Sequence, residues 1–90
     1  MSEDTAIVAL VDDDPAVRDA VSFLLETVGI VCRSYAAADA FLDGHDPTST
    51  SCIVLDIRMP GMSGLELQEE LVRRGWKAPL VFITGHGEIA

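Results

Sequence analysis

From Cys52 to Gly64 the chain reads Cys-Ile-Val-Leu-Asp-Ile-Arg-Met-Pro-Gly-Met-Ser-Gly, and no other stretch narrows the possible folds as much. Four consecutive apolar residues end on one carboxylate, Asp56, and a Pro/Gly-rich loop follows at once. A short apolar run bounded by turn chemistry suits a strand buried on both faces, as in a parallel sheet. Asp56 then stands at the carboxyl end of that strand, the edge at which open α/β sheets bind ligands. Pro60, Gly61 and Gly64 keep the backbone out of a helix until about Ser63. A charge closing a hydrophobic strand is costly to bury without a partner. The chain therefore has to supply something that pairs with Asp56.

The rest of the sequence alternates strand and helix signals. Ala6–Val11 is a continuous apolar run, too short for a helix and rich in β-branched residues, and Asp12-Asp13-Asp14 stops it. Asp14 followed by Pro15 reads as an N-cap and first helical residue. Val17, Ala20, Val21, Leu24, Leu25 and Val28 then recur at helical spacing and predict one apolar face, with Gly29 ending the helix. Ile30 to about Tyr35 is a weaker second strand. Ala36 to Leu42 is a short helix with Phe41 and Leu42 facing inward, closed by Asp43-Gly44.

His45 to Ser51 is a polar loop, and the third strand follows it. A third helix is expected from about Gly64 to Arg74, with Leu65, Leu67, Leu71 and Val72 as its buried side. Glu66, Glu69 and Glu70 precede Arg73 and Arg74, the order that suits the helix dipole. Gly75 closes it, and Leu80–Ile83 is a fourth apolar run before Thr84-Gly85-His86-Gly87.

Strand–helix alternation with short connections implies right-handed βαβ units and a parallel α/β sheet with helices on both faces. All carboxyl ends then share one edge. That edge collects Asp12 and Asp13 from strand one, Asp56 from strand three and Thr84 from strand four. Topology alone brings these residues together from distant parts of the chain.

Bulk properties exclude several classes. Ninety residues at 49% hydrophobic content predict one packed domain and argue against disorder. A net charge of −9 disfavours direct binding to nucleic acid or to an anionic membrane. No apolar run is long enough for a transmembrane helix, and the N-terminal Met-Ser-Glu-Asp-Thr lacks the basic start of a signal peptide. A soluble, cytoplasmic protein is expected. Cys32 and Cys52 both fall inside strand-like runs without a Cys-x-x-Cys pair or a Cys/His cluster, so they read as core thiols rather than zinc ligands.

Two carboxylates about 4 Å apart repel by roughly 4 kcal/mol at an effective dielectric near 20. Either one is protonated or a cation neutralises them. Hard oxygen ligands with room for water suit Mg²⁺, beside which Asp56 could act as a nucleophile and form an aspartyl phosphate. Plainer readings stand next to this one. Asp14 serves as an N-cap; Asp12 or Asp13 alone could be a solvated strand end; Thr84 could merely terminate its strand. His86 reads as an exposed loop residue, and Met59 and Met62 as packing residues. Calcium-loop, dinucleotide and P-loop patterns are absent.

Val11-Asp12-Asp13, the D-x-x-M-P-x-x-S-G run from Asp56 to Gly64, and Ile83-Thr84-Gly85 together resemble the receiver domain of bacterial two-component response regulators. The resemblance covers the whole chain, residues 1–90. The wording Ile83-Thr84-Gly85-His86-Gly87-Glu88 is similar to receivers attached to DNA-binding outputs, particularly LuxR-type helix-turn-helix modules. It implies a flavodoxin-like sheet, 2-1-3-4 for the strands present, and a sensor histidine kinase as phosphoryl donor. It also implies roles: Asp56 as phosphoacceptor; Asp13, Asp56 and the backbone carbonyl of Arg58 on Mg²⁺; Asp12 acting mainly through water; Thr84 hydrogen-bonding a phosphoryl oxygen. Backbone N–H groups of Arg58 and Gly85 would help. In that strand order Cys32 and Cys52 lie on opposite sides of strand one and should not pair.

One departure bears on function. Complete receivers continue with a fourth helix, a fifth strand carrying a Lys-Pro pair and a fifth helix, whereas this sequence stops at Ala90. Lys77 precedes strand four, at the wrong edge to replace that lysine. Three hypotheses follow: a receiver retaining its acceptor site, a hydrolase of the aspartyl-phosphate type, and an interaction module that is not productively phosphorylated. The hydrolase would be expected to carry a second acid where Arg58 stands. The receiver reading implies no enzyme beyond catalysis of its own phosphorylation and dephosphorylation. The free edge of strand four and the sheet face beside the first helix predict self-association, most simply as a two-fold dimer.

Overall fold

The computed structural model describes residues 6–46 and 48–83. Its elements run β1 (Ile7–Val11), α1 (Pro15–Thr27), β2 (Val31–Tyr35), α2 (Ala38–Gly44), β3 (Cys52–Asp56), α3 (Gly64–Arg73) and β4 (Leu80–Ile83). The strands form one sheet in the order β2-β1-β3-β4, every neighbouring pair parallel. This is the flavodoxin-like order expected for the strands present.

Local chemistry sets the helix ends. The Asp14 carboxylate accepts the N–H of Ala16 at 2.9 Å, and Pro15 occupies the first helical position, where a missing N–H costs nothing. Ser63 and Glu66 form a reciprocal capping box: Ser63 Oγ accepts the Glu66 N–H at 3.2 Å, and Glu66 Oε1 accepts the Ser63 N–H at 2.9 Å. Gly29 and Gly75 follow their helices with φ of 82° and 84°, the left-handed backbone that a terminating residue needs. α2 starts two residues later than its alanines suggest. Ala37 is extended, with φ −156° and ψ 158°, and offers no side-chain cap. The link from β2 stays open so that the Tyr35 ring meets Phe41 edge-on at 5.3 Å.

Alternation along the strands sends residues to two unlike faces. Ala9, Val11, Ile53 and Leu55 join Phe41 of α2 and Leu67 and Leu71 of α3 in a closed core, with Met59 tucked beneath it. Val8, Leu10, Cys52, Val54 and Val81 share the opposite parity, the side on which α1 lies.

Two expected helix faces need correction. Of the apolar face expected for α1, Val17, Val21 and Leu25 are half-buried, while Ala20, Leu24 and Val28 are exposed, Leu24 at 63% and Val28 at 69%. In α3 the buried stripe is Gly64, Leu67 and Leu71; Leu65 and Val72 point outward. Both helices carry more apolar surface than the described sheet covers. The cysteines are half-buried rather than core residues. Cys32 and Cys52 are both register partners of Val8, one on each side. Two strand spacings put them about 9–10 Å apart, beyond the roughly 7 Å at which a disulfide closes.

Candidate functional site

β1 and β3 are adjacent and parallel, so their carboxyl ends deliver Asp12 and Asp56 to the same place. Both residues are fully buried. Asp13 joins them, and one ligand atom from each of Asp12, Asp13 and Asp56 lies within 4.8 Å of the others. The convergence expected from topology is therefore present for all three carboxylates. Thr84, Gly85 and His86 lie outside the described residues.

Backbone N–H groups hold the Asp12 and Asp56 carboxylates. The Asp12 N–H donates to the Tyr35 carbonyl at 3.1 Å, extending the β1–β2 ladder by one residue. Asp12 Oδ1 accepts the Asp14 N–H at 2.8 Å, and Oδ2 is buried with no hydrogen-bond partner among the described residues. Asp56 Oδ1 accepts the Arg58 N–H at 3.1 Å. The Arg58 side chain itself is exposed. Asp14 acts as the helix cap that its position before Pro15 suggested.

The loop after Asp56 is drawn tight by Gly64. Its N–H donates to the Ile57 carbonyl at 3.0 Å, and a Cβ there would sit 2.2 Å from the Asp56 carbonyl oxygen. Only glycine lets the start of α3 come so near the end of β3. Met59 is buried in the core and anchors the same loop, in keeping with its reading as a packing residue.

Burial pushes the Asp12 carboxyl up from its ordinary value, and the charges of Asp56, Asp13 and Asp14 push the same way, against the hydrogen bond from the Asp14 N–H. A desolvated oxygen without a donor, in a cluster of three acids, is a site that a cation would complete. All donors are hard carboxylate oxygens, the set that suits Mg²⁺. The residues present fit such an ion.

Two features were not singled out in the sequence. Arg18 reaches back from α1, its Nη1 donating to the Asp12 carbonyl at 2.7 Å. The clearance at Gly64 is the other; its place in the motif was visible, but the steric reason was not.

A parallel doubly wound sheet with an acid trio at its carboxyl edge defines the class of protein, and comparison with known proteins gives the family. Residues 8–90 match the model of the response regulator receiver domain. The chain belongs to that family. It is 48% identical over 82 residues to the transcriptional regulatory protein FixJ of Azorhizobium caulinodans, covering 91% of this chain and 39% of that protein. Over 89 residues it is 39% identical to the response regulator protein TmoT of Ectopseudomonas mendocina, covering 99% of this chain and 40% of that protein. Among solved structures, the response regulator StyR superposes with a TM-score of 0.86 at 44% identity, over 96% of this chain and 43% of that one. The crystal structure of FixJ-N gives 0.77 at 35% identity, over 93% and 67%. The chain thus spans about two-fifths of the length of the curated relatives it matches.

Proposed function

We propose that this chain is a phosphoacceptor receiver that takes a phosphoryl group from a sensor histidine kinase onto Asp56 in a Mg²⁺-dependent reaction. The observation that carries this reading is the convergence of buried Asp12 and Asp56 with half-buried Asp13 at the carboxyl edge of the sheet. An Asp56 carboxylate oxygen forms the new bond to phosphorus. The bond from phosphorus to the donor breaks, and its electron pair leaves with the donor.

Mg²⁺, held by Asp13, Asp56 and the backbone carbonyl of Arg58, would supply neutralising charge to the carboxylates and the incoming anion. Asp12 would act mainly through water. The Arg58 N–H, now on Asp56 Oδ1, stands where it can follow charge onto a phosphoryl oxygen. Thr84 and the Gly85 N–H complete the donor set in this reading. Transfer of this kind asks for positioning and charge neutralisation rather than a catalytic histidine. The chain would act as a switch and not as an enzyme on other substrates.

Transcription is the proposed output, because FixJ of Azorhizobium caulinodans is described as a transcriptional regulatory protein. The proposed setting is the cytoplasm. No described helix is long and apolar enough to cross a membrane.

Mass spectrometry after incubation with acetyl phosphate and Mg²⁺ tests the acceptor. Asp56→Asn should abolish labelling, whereas Asp14→Asn should leave it intact. Labelling that survives Asp56→Asn would sink the assignment.

The 90-residue chain is also proposed to self-associate. Leu24, Val28 and Val81 are exposed on the side of the sheet that carries α1, and among the described residues β4 pairs only with β3. A two-fold partner would cover this apolar surface. Light scattering across a concentration series should show mass rising toward a dimer; a constant monomer mass would refute it.

A further inference from the structure

We propose that Arg18 is a positioning residue for the acid trio, holding the turn between β1 and α1 so that the Asp13 carboxylate stays beside Asp56. The inference rests on the reading of the trio as a divalent-cation site. Asp13 is the middle residue of a three-residue turn whose two flanks are tied. On one side, the Asp12 N–H is bound by Tyr35, and its carboxylate receives the Asp14 N–H. On the other, the Asp14 carboxylate caps Ala16, and its carbonyl accepts the Arg18 N–H at 3.1 Å.

The Arg18 guanidinium closes this arrangement. Its Nη1 donates to the Asp12 carbonyl at 2.7 Å, a short charge-assisted bond from the second turn of α1 back to the residue that ends β1. One side chain thus ties α1 to the strand across the turn that carries Asp13. Without that bond the turn keeps its helix cap but loses the link fixing the distance between helix and strand. Partners that orient ligands from behind typically matter to metal affinity about 10–100-fold.

A cation next to carboxylates has a plain alternative role, as a counter-charge. The two roles predict opposite signs. Removing a mere counter-charge deepens the negative potential and tightens binding of a divalent cation. Removing a positioning residue spreads the ligands and weakens it.

The test is Mg²⁺ affinity, measured by calorimetry on the 90-residue chain and on Arg18→Met, Arg18→Lys and Asp13→Asn, with circular dichroism as the check of folding. Arg18→Met should bind Mg²⁺ about tenfold more weakly in spite of the added negative charge. Arg18→Lys keeps the charge without the planar guanidinium and should lose affinity by a smaller factor, about threefold. If Arg18→Met fails to fold, Arg18→Lys decides alone: weaker binding supports the proposal and unchanged binding overturns it. Unchanged or tighter binding in folded Arg18→Met, while Asp13→Asn weakens binding, would overturn the role of Arg18 and leave the cation site standing. If Asp13→Asn also binds as the unaltered chain does, the cation-site reading fails, and the proposal with it.

Discussion

Val11 and Asp12 are neighbours at the end of β1, and Leu55 and Asp56 are neighbours at the end of β3. All four are fully buried, yet they face opposite ways. Val11 and Leu55 enter the closed core under α2 and α3. Asp12 and Asp56 belong to the side that carries α1, where Val81 is 48% exposed and apolar residues of α1 lie open. One face supplies the stability; the other holds the charge. Burying two acids beside a half-buried third is unfavourable, and the core on the far side of the same two strands offsets it. Function at this edge therefore depends on the packing of the opposite face.

Substitutions on the two faces should differ most. Phe41→Ala empties a fully buried position that stacks on His45 at 4.2 Å and meets Tyr35 edge-on. It should cost about 3–5 kcal/mol in a urea titration, enough to unfold much of a small domain. Leu24→Ala, on the open side, should change the unfolding free energy of the dilute monomer by less than about 0.5 kcal/mol. Similar losses at the two positions would break the comparison.

Gly64→Ala tests where the faces meet the site. The added methyl has no room against the Asp56 carbonyl, so α3 or β3 must move. The loss should be about 1–3 kcal/mol, the range for overpacking, and labelling of Asp56 should fall with it. Ser63→Ala removes one half of the neighbouring capping box and should cost about 1 kcal/mol, with labelling preserved. Together they separate displacement of the acid site from simple weakening of α3.

Asp12→Asn should act in the opposite direction. The raised Asp12 pKa means that the folded chain holds its proton more tightly than the unfolded one. The protonated form therefore stabilises the fold below the ordinary Asp value of 3.8, and that contribution is lost as pH rises through the higher folded value. Asparagine keeps the acceptor for the Asp14 N–H and never ionises. With chelator present at neutral pH the variant should unfold at a higher temperature, by a few degrees, since about 1 kcal/mol moves the midpoint of a domain this size by roughly 4–8 °C. The gain should vanish in acid. A lower midpoint at neutral pH would show that the buried carboxylate is stabilising.

The frame and the trio were legible in the sequence because they rest on run length, punctuation and the direction of parallel strands. Cys52–Leu55 could only be a short buried strand once Pro60 and Gly61 closed off a helix, and topology then carried Asp12 and Asp13 to Asp56. Helix faces were less legible. Periodicity says that Leu24 and Val28 share a stripe with Val17 and Val21, but whether anything covers that stripe depends on surfaces outside the helix. Leu65 and Val72 form a second apolar stripe on α3 for the same reason. The start of α2 was misplaced because the extended link before Phe41 overrides the helix propensity of Ala36 and Ala37. Arg18 stayed hidden because no spacing rule says that a guanidinium returns six residues to a strand-end carbonyl.

The central claim is that this acid edge directs a phosphoryl group to one carboxylate and needs a cation to do so. Borohydride reduction of the unaltered chain after treatment with acetyl phosphate tests it most directly, because an acyl phosphate is converted to homoserine where it formed. Peptide mass spectrometry should place homoserine at position 56 when Mg²⁺ is present and nowhere when the metal is chelated. Homoserine at position 12 or 13, or equal conversion at 56 without divalent metal, would contradict the claim.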